Sequence, residues 1–271
     1  MVRPAMRKGL DLLPLAALGA ASALGAALSR APAGRLDPLL AWCAPSWTRP
    51  LGCGEAGVDL LPLVSSAELR VIALAAAVAL FGLAAGTPLG AAAALARGRV
   101  ERAVERMCDL VQAFPSFILA LAVLSAVRAP SRVHIGAVFA LTAWAPFTRL
   151  ALAQTRVLRD ATFVEAAIAL GSSPASVLVR HIAPNLVGVA AVQLGSTAGA
   201  VVVSEAALAF VGLGPQGGIS LGAVLDQGVA GMLRAPHVLG VGAAAVFATS
   251  CAMLIAGQFF ASPRKKPGRL R

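Results

Sequence analysis

Polar and apolar positions along this chain separate into long blocks. No charged residue occurs in 12–29, 71–96, 110–127, 182–204 or 235–263. Each block approaches or exceeds the roughly 20 apolar residues that a helix needs to cross hydrocarbon. A sixth, weaker block covers 133–153 and contains His134 and Arg149. Backbone in lipid must satisfy its own hydrogen bonds, so runs this long and apolar are read as helices. The pattern predicts an all-α, polytopic membrane protein with about six transmembrane helices. Their expected positions are about 10–29, 69–96, 108–127, 133–153, 187–209 and 236–260. The organisation that follows is an amino-terminal arm and external segment (1–68), a five-span core (69–260) with a long inside loop at about 154–186, and a basic tail (261–271).

Composition supports this reading. The chain has 271 residues, of which 58% are hydrophobic and 13% charged, with mean hydropathy +0.82. Soluble domains carry about 25% charged residues. The first apolar block also fits a signal peptide, with basic residues before it and Ala31-Pro32-Ala33 after it. Its uncharged core is longer than a usual signal core, and a retained span is the expectation.

The net charge of +11 sets orientation. Most of the 23 lysines and arginines fall beside the amino terminus, in the 97–106 and 149–180 segments, and in the tail. With six spans these all lie on one side, and the positive-inside rule puts that side, with both termini, in the cytosol. The positive balance is therefore membrane orientation and contact with anionic headgroups, and nucleic acid is not an expected partner.

The inside loop is the most informative segment. Thr162 to Leu170 is rich in helix formers, and Gly171 is placed to cap that helix. Ser173 and Pro174 restart a helix as N-cap and first position. Val177, Leu178 and Ile182 give it an apolar stripe, and Pro184 is expected to end it and open the fifth span. Ala166 and Ala167 offer a smooth surface for a partner, and Glu165 can pair with a basic group. On residues alone, a docking surface and an ordinary amphipathic loop on the membrane are both open.

Other chemistry is sparse. Glu205, at the outer end of the fifth span, is read as tying down the Gly-rich segment after it rather than as a proton relay. Asp109 is an interfacial anchor near Arg106. His134, His181 and His237 are scattered, and no metal site is expected. Cys108 and Cys251 are read as packing residues. Cys43 and Cys53 lie in the external segment, where they can be bridged or free. No Ser/His/Asp arrangement suggests an enzyme. The only lysines are Lys8, Lys265 and Lys266, none in a phosphate-binding loop.

The segment Glu165-Ala166-Ala167, with Gly171 and Ile182-Ala183-Pro184-Asn185, resembles the EAA motif of permease subunits of binding-protein-dependent ATP-binding-cassette importers. Asp109 to Leu121 (DLVQAFPSFILAL, with Phe114-Pro115), Ala143-Trp144 with Pro146 and Arg149, Arg180 to Asn185, and Ser204 to Gly214 (SEAALAFVGLG) resemble the dipeptide, oligopeptide and nickel permeases. The likeness covers about 50–260, in the subfamily with a single-span amino-terminal arm. Two departures stand out. Ala183 replaces a usual Leu, and Gly52-Cys53-Gly54-Glu55-Ala56-Gly57-Val58-Asp59 lacks the family's Arg in its external motif.

The resemblance implies a type I importer permease fold. It implies a second permease subunit of different sequence, cytosolic ATPases that hold the ATP and Mg, and an extracytoplasmic protein that delivers a peptide or related cargo. No cofactor is expected on this chain. The loop from Glu165 through Gly171, with Ser173, Pro174, Ile182 and Pro184, would couple to the ATPase in the cell inner membrane. The alternative is an ion-coupled secondary transporter working without an ATPase, which would call for intramembrane charges and repeats.

Overall fold

The computed structural model describes residues 36–216 and 218–261, with 16, 18–20, 22, 23 and 25. Most of the expected first span and the tail from 262 onward lie outside the described residues.

Helix α1, Leu60–Ala96, begins where the Asp59 carboxylate accepts the Leu61 amide at 3.0 Å. It starts nine residues before the expected boundary. At 1.5 Å per residue its 37 residues span about 55 Å, well beyond a hydrocarbon core of about 30 Å. Ser22 of the amino-terminal stretch donates to Glu68 on α1, which satisfies a buried carboxylate that sequence reading had passed over.

Helices α2, Gly98–Ala113, and α3, Ser116–Ser125, meet at a 65° bend. The expected third span is therefore broken at Phe114-Pro115, where proline removes an amide and disfavours helix at the residue before it. The 97–106 segment, expected as a loop, is helical apart from Arg97. Glu101 and Glu105, four apart, share one helix face, as do Arg102 and Arg106.

Helix α4, Arg132–Arg159, is capped by Ser131, whose hydroxyl accepts the His134 amide at 3.4 Å. Helices α1 and α4 pack backbone to backbone. A Cβ on Gly86 would lie 2.3 Å from the Trp144 carbonyl oxygen, and one on Gly90 would lie 2.1 Å from that of Thr148. The Thr148 hydroxyl donates to the Gly86 carbonyl at 3.0 Å. Such close approach needs residues without side chains.

Helix α5, Thr162–Ala169, leads into α6, Pro174–Leu213, which is continuous up to a left-handed kink at Gly212, φ +85°. Pro184 does not end a helix. A π turn at Leu178–Ile182 absorbs the proline, and the Asn185 side-chain amide donates to the His181 carbonyl at 2.6 Å. The second loop helix and the fifth span are thus one rod. A short helix α7, Leu221–Ala230, turns back against α8, Pro236–Ala261.

Among the described residues, four helices are long and apolar enough to span a membrane: α1, α4, α6 and α8. The bent α2–α3 pair makes a fifth. The main core joins α1, α4, α6 and α8 through residues such as Ile135, Phe139, Val202 and Val238.

Candidate functional site: an inner docking loop and a polar cleft

The inner loop is held from below by an apolar seat. Val164, Val177 and Ile182 are fully buried against Ala91, Ala151 and Leu186. Gly171 has φ +86° with nothing within 4 Å of where a Cβ would sit, so backbone conformation alone selects glycine there. The turn is a Schellman motif. The Ser172 amide bonds to the Ala167 carbonyl at 3.0 Å, and the Gly171 amide bonds to that of Ile168 at 2.9 Å. The Ser173 hydroxyl then accepts the Ser176 amide at 3.3 Å, with Pro174 in the first helical position.

Helical periodicity divides the expected contact residues. Val164 and Ala167, three apart, turn inward together, and Ala167 is 8% exposed. Ala167 and Ile182 therefore belong to the seat and not to a partner-facing surface. Glu165, Ala166, Gly171, Ser173, Pro174 and Pro184 are exposed. The Glu165 carboxylate makes no ion pair among the described residues. Beside them stand Ile168, Leu170 and Val179, all exposed, with Leu170 at 88%. Sequence reading had not separated these from the buried face. Phasing the helix on Val164 would have done so.

A charge lattice braces the base of the loop. Arg156 meets Glu101 at 2.5 Å and Glu105 at 2.9 Å. Arg159 meets Glu101 at 3.2 Å and donates to the Ala94 carbonyl. Arg97 meets Asp160 at 2.8 Å in the turn before α5. In the sequence these arginines mark only orientation. The pairing joins α2 to α4 across more than fifty residues and leaves no local pattern.

Asp109 and Arg149, singled out separately, meet at 2.7 Å. Asp109 is paired with Arg149 and not with Arg106. One turn outward on both helices a cleft of about 320 Å³ opens. Phe114 and Pro115 line it at the α2–α3 bend, with Thr142 and Pro146 from α4. Helix α6 adds Gln193, Ser196, Thr197 and Ser204, and the Gln193 side-chain amide donates to the Thr197 hydroxyl at 3.1 Å. The lining mixes neutral polar groups with apolar side chains and carries no charged one.

At the other end of α6, Glu205 is 4% exposed in a small hollow with Arg70, Arg132, Pro215 and Ser220. Arg70 Nη2 donates to the Ile219 carbonyl at 2.9 Å. The pin on the Gly-rich segment is therefore Arg70, with Glu205 beside it as countercharge. Nearby, Cys43 and Cys53 form a disulfide with Cα atoms 4.8 Å apart. Trp42, next to the bridge, packs against the main core at the end of α7. Cys108 is buried and Cys251 partly so.

Residues 86–264 match the family described as binding-protein-dependent transport system inner membrane component. The chain is 31% identical over 214 residues to the glutathione transport system permease protein GsiD of Pectobacterium atrosepticum, covering 79% of this chain and 71% of that protein. It is 34% identical to the proteins of that name from Shigella dysenteriae serotype 1 and Escherichia coli O157:H7, covering 79% of this chain and 70% of each.

Proposed function

The chain belongs to the family of binding-protein-dependent transport system inner membrane components, and from that premise we propose that its α5–α6 loop is the surface through which a separate ATPase drives transport. The chain is a multi-pass inner-membrane permease subunit of an ATP-driven importer, not an enzyme. It works with an ATPase, which binds the ATP, and with a substrate-binding protein.

The observation that carries the proposal is the contrast between the two sides of the loop. Its inner side is locked by full burial of Val164, Val177 and Ile182. Its outer side presents Ile168, Leu170 and Val179 around Glu165. An apolar rim on a rigid mount suits a partner groove. Continuity of α6 from Pro174 through its cleft-lining residues, Gln193 to Ser204, supports the mechanism. A push on the loop travels along one helix whose middle lines the cleft, so loop and cleft move as a unit.

In this reading the cleft is one half of the cargo path, closed by a second permease of different sequence. The cargo is a peptide or a related small molecule, as the glutathione systems of the relatives suggest. Neutral hydrogen-bonding groups such as Gln193 and Thr142 suit peptide amides. Both termini are cytosolic. The basic residues on that side support this, and so does the bridge between Cys43 and Cys53, which needs an oxidising compartment.

The test is uptake together with ATPase retention on the purified complex. Gly171→Val should displace α6 from the loop, and Glu165→Lys should reverse a charge at the contact. Each should abolish uptake or release the ATPase while the chain remains inserted at normal level. Normal uptake with both substitutions would overturn the coupling role.

A further inference from the structure

Arg70 and Arg132 also border a second, larger hollow on the outer half of the molecule. This groove, about 550 Å³, runs between α1 and α4 and is floored by Ala73, Ala77, Ala137 and Ala140. Apart from the two arginines its lining is apolar. Its size falls within the range of about 300–1,000 Å³ typical of small-molecule sites.

The charges at its mouth do not balance. Both guanidiniums lie close to one point, because a Cβ on Gly218 would be 3.1 Å from Arg132 Nη2 and 3.6 Å from Arg70 Cζ. One carboxylate, Glu205, shares the hollow with both. Arg70 is engaged with the Ile219 carbonyl. Arg132 makes no hydrogen bond or ion pair among the described residues. A surplus cation at the edge of hydrocarbon is costly unless it meets an anion.

An anion above an apolar groove describes an amphiphile. We propose that this groove binds one anionic phospholipid, with its phosphate on Arg132 and Arg70 and an acyl chain laid between α1 and α4. Arg132 is the first residue of α4, the place where that helix leaves the membrane and where headgroups lie. Basic pockets between transmembrane helices recognise such headgroups. A partner permease is the less favoured occupant. At 100° per residue the groove residues of α4 lie roughly a third of a turn from those lining the cleft, so a subunit closing the cleft does not by itself cover the groove. A lipid seated there would brace the Arg70 contact with the Ile219 carbonyl, and through it the outer segment over the path.

The experiment uses the full chain, purified in mild detergent with the subunits it retains. Native mass spectrometry counts bound lipid before and after titration with phosphatidylglycerol, phosphatidylcholine or glycerol phosphate. Phosphatidylglycerol should bind with preference over phosphatidylcholine. Arg132→Gln should weaken it roughly tenfold, the scale of a lost charge-assisted hydrogen bond. Ala137→Trp, which fills the groove and keeps the charge, should weaken it as much. Arg128→Gln, outside the groove, should leave it unchanged. Lipid retention undiminished from that of the parent chain in the Arg132 and Ala137 variants would overturn the proposal. Equal binding of glycerol phosphate would reduce the site to a small-anion site and overturn it too. Crosslinking of Ala137→Cys to the second permease would assign the groove to protein instead.

Discussion

Removing the Glu101 carboxylate should loosen the base of the docking loop by an amount that the geometry sets. Glu101 has a side chain 8% exposed and accepts from both Arg156 and Arg159. In Glu101→Gln neither guanidinium is left alone. Arg156 keeps Glu105, and Arg159 keeps the Ala94 carbonyl. A buried pair with no fallback costs about 3–5 kcal/mol when one partner is removed. Here the loss is the difference between charged and neutral acceptance at two bonds, about 2 kcal/mol. At 2–4 °C per kcal/mol for a chain of this size, the midpoint should fall by roughly 4–8 °C. Glu105→Gln is the internal control. Glu105 is 37% exposed and Arg156 retains Glu101, so the change should cost less than about 1 kcal/mol. A thiol-reactive dye on Cys108 reads the transition, because that side chain is 1% exposed on α2 and appears only when α2 leaves α4. A Cys251→Ser background removes the other free thiol. A midpoint within about 1 °C of the parent, or a larger fall for Glu105→Gln than for Glu101→Gln, would refute the claim that Glu101 is the centre of the brace.

Two further outcomes are expected. Gly90→Val places a Cβ 2.1 Å from the Thr148 carbonyl oxygen, so α1 and α4 must separate by about 1 Å; overpacking of this kind costs about 1–3 kcal/mol and should lower the same midpoint, and no change would show that the helices are not in backbone contact. Trp47→Cys should react with an impermeant maleimide from outside intact cells, since Trp47 is fully exposed next to the disulfide, while a reporter fused after Arg271 should be active only in the cytosol; the reverse pattern would invert the orientation.

Spans could be read because lipid excludes charge, and a block of 20 residues without one carries its own explanation. The Gly171 turn could be read because cap chemistry is local: a Schellman turn needs glycine, and a helix start favours Ser173 followed by Pro174. The bend at Phe114-Pro115 was visible as a proline yet not foreseen as a break, because Pro88 and Pro146 lie inside intact helices. Pro184 taught the same caution. Its missing amide is absorbed by a π turn and by the Asn185 side chain, so a residue expected to divide two helices lies within one.

By itself the sequence determined the membrane class, the order of the apolar segments among the described residues, the capped loop and the family. All of these depend on composition or on residues within a few positions of one another. Only the tertiary structure decided which loop residues face inward, which arginines are braces, and where the polar groups of α2, α4 and α6 converge on one cleft. Arg156 reaches Glu101 across 55 residues, and Arg149 reaches Asp109 across 40. Charges at such separations are paired only when helix packing lays α2 against α4.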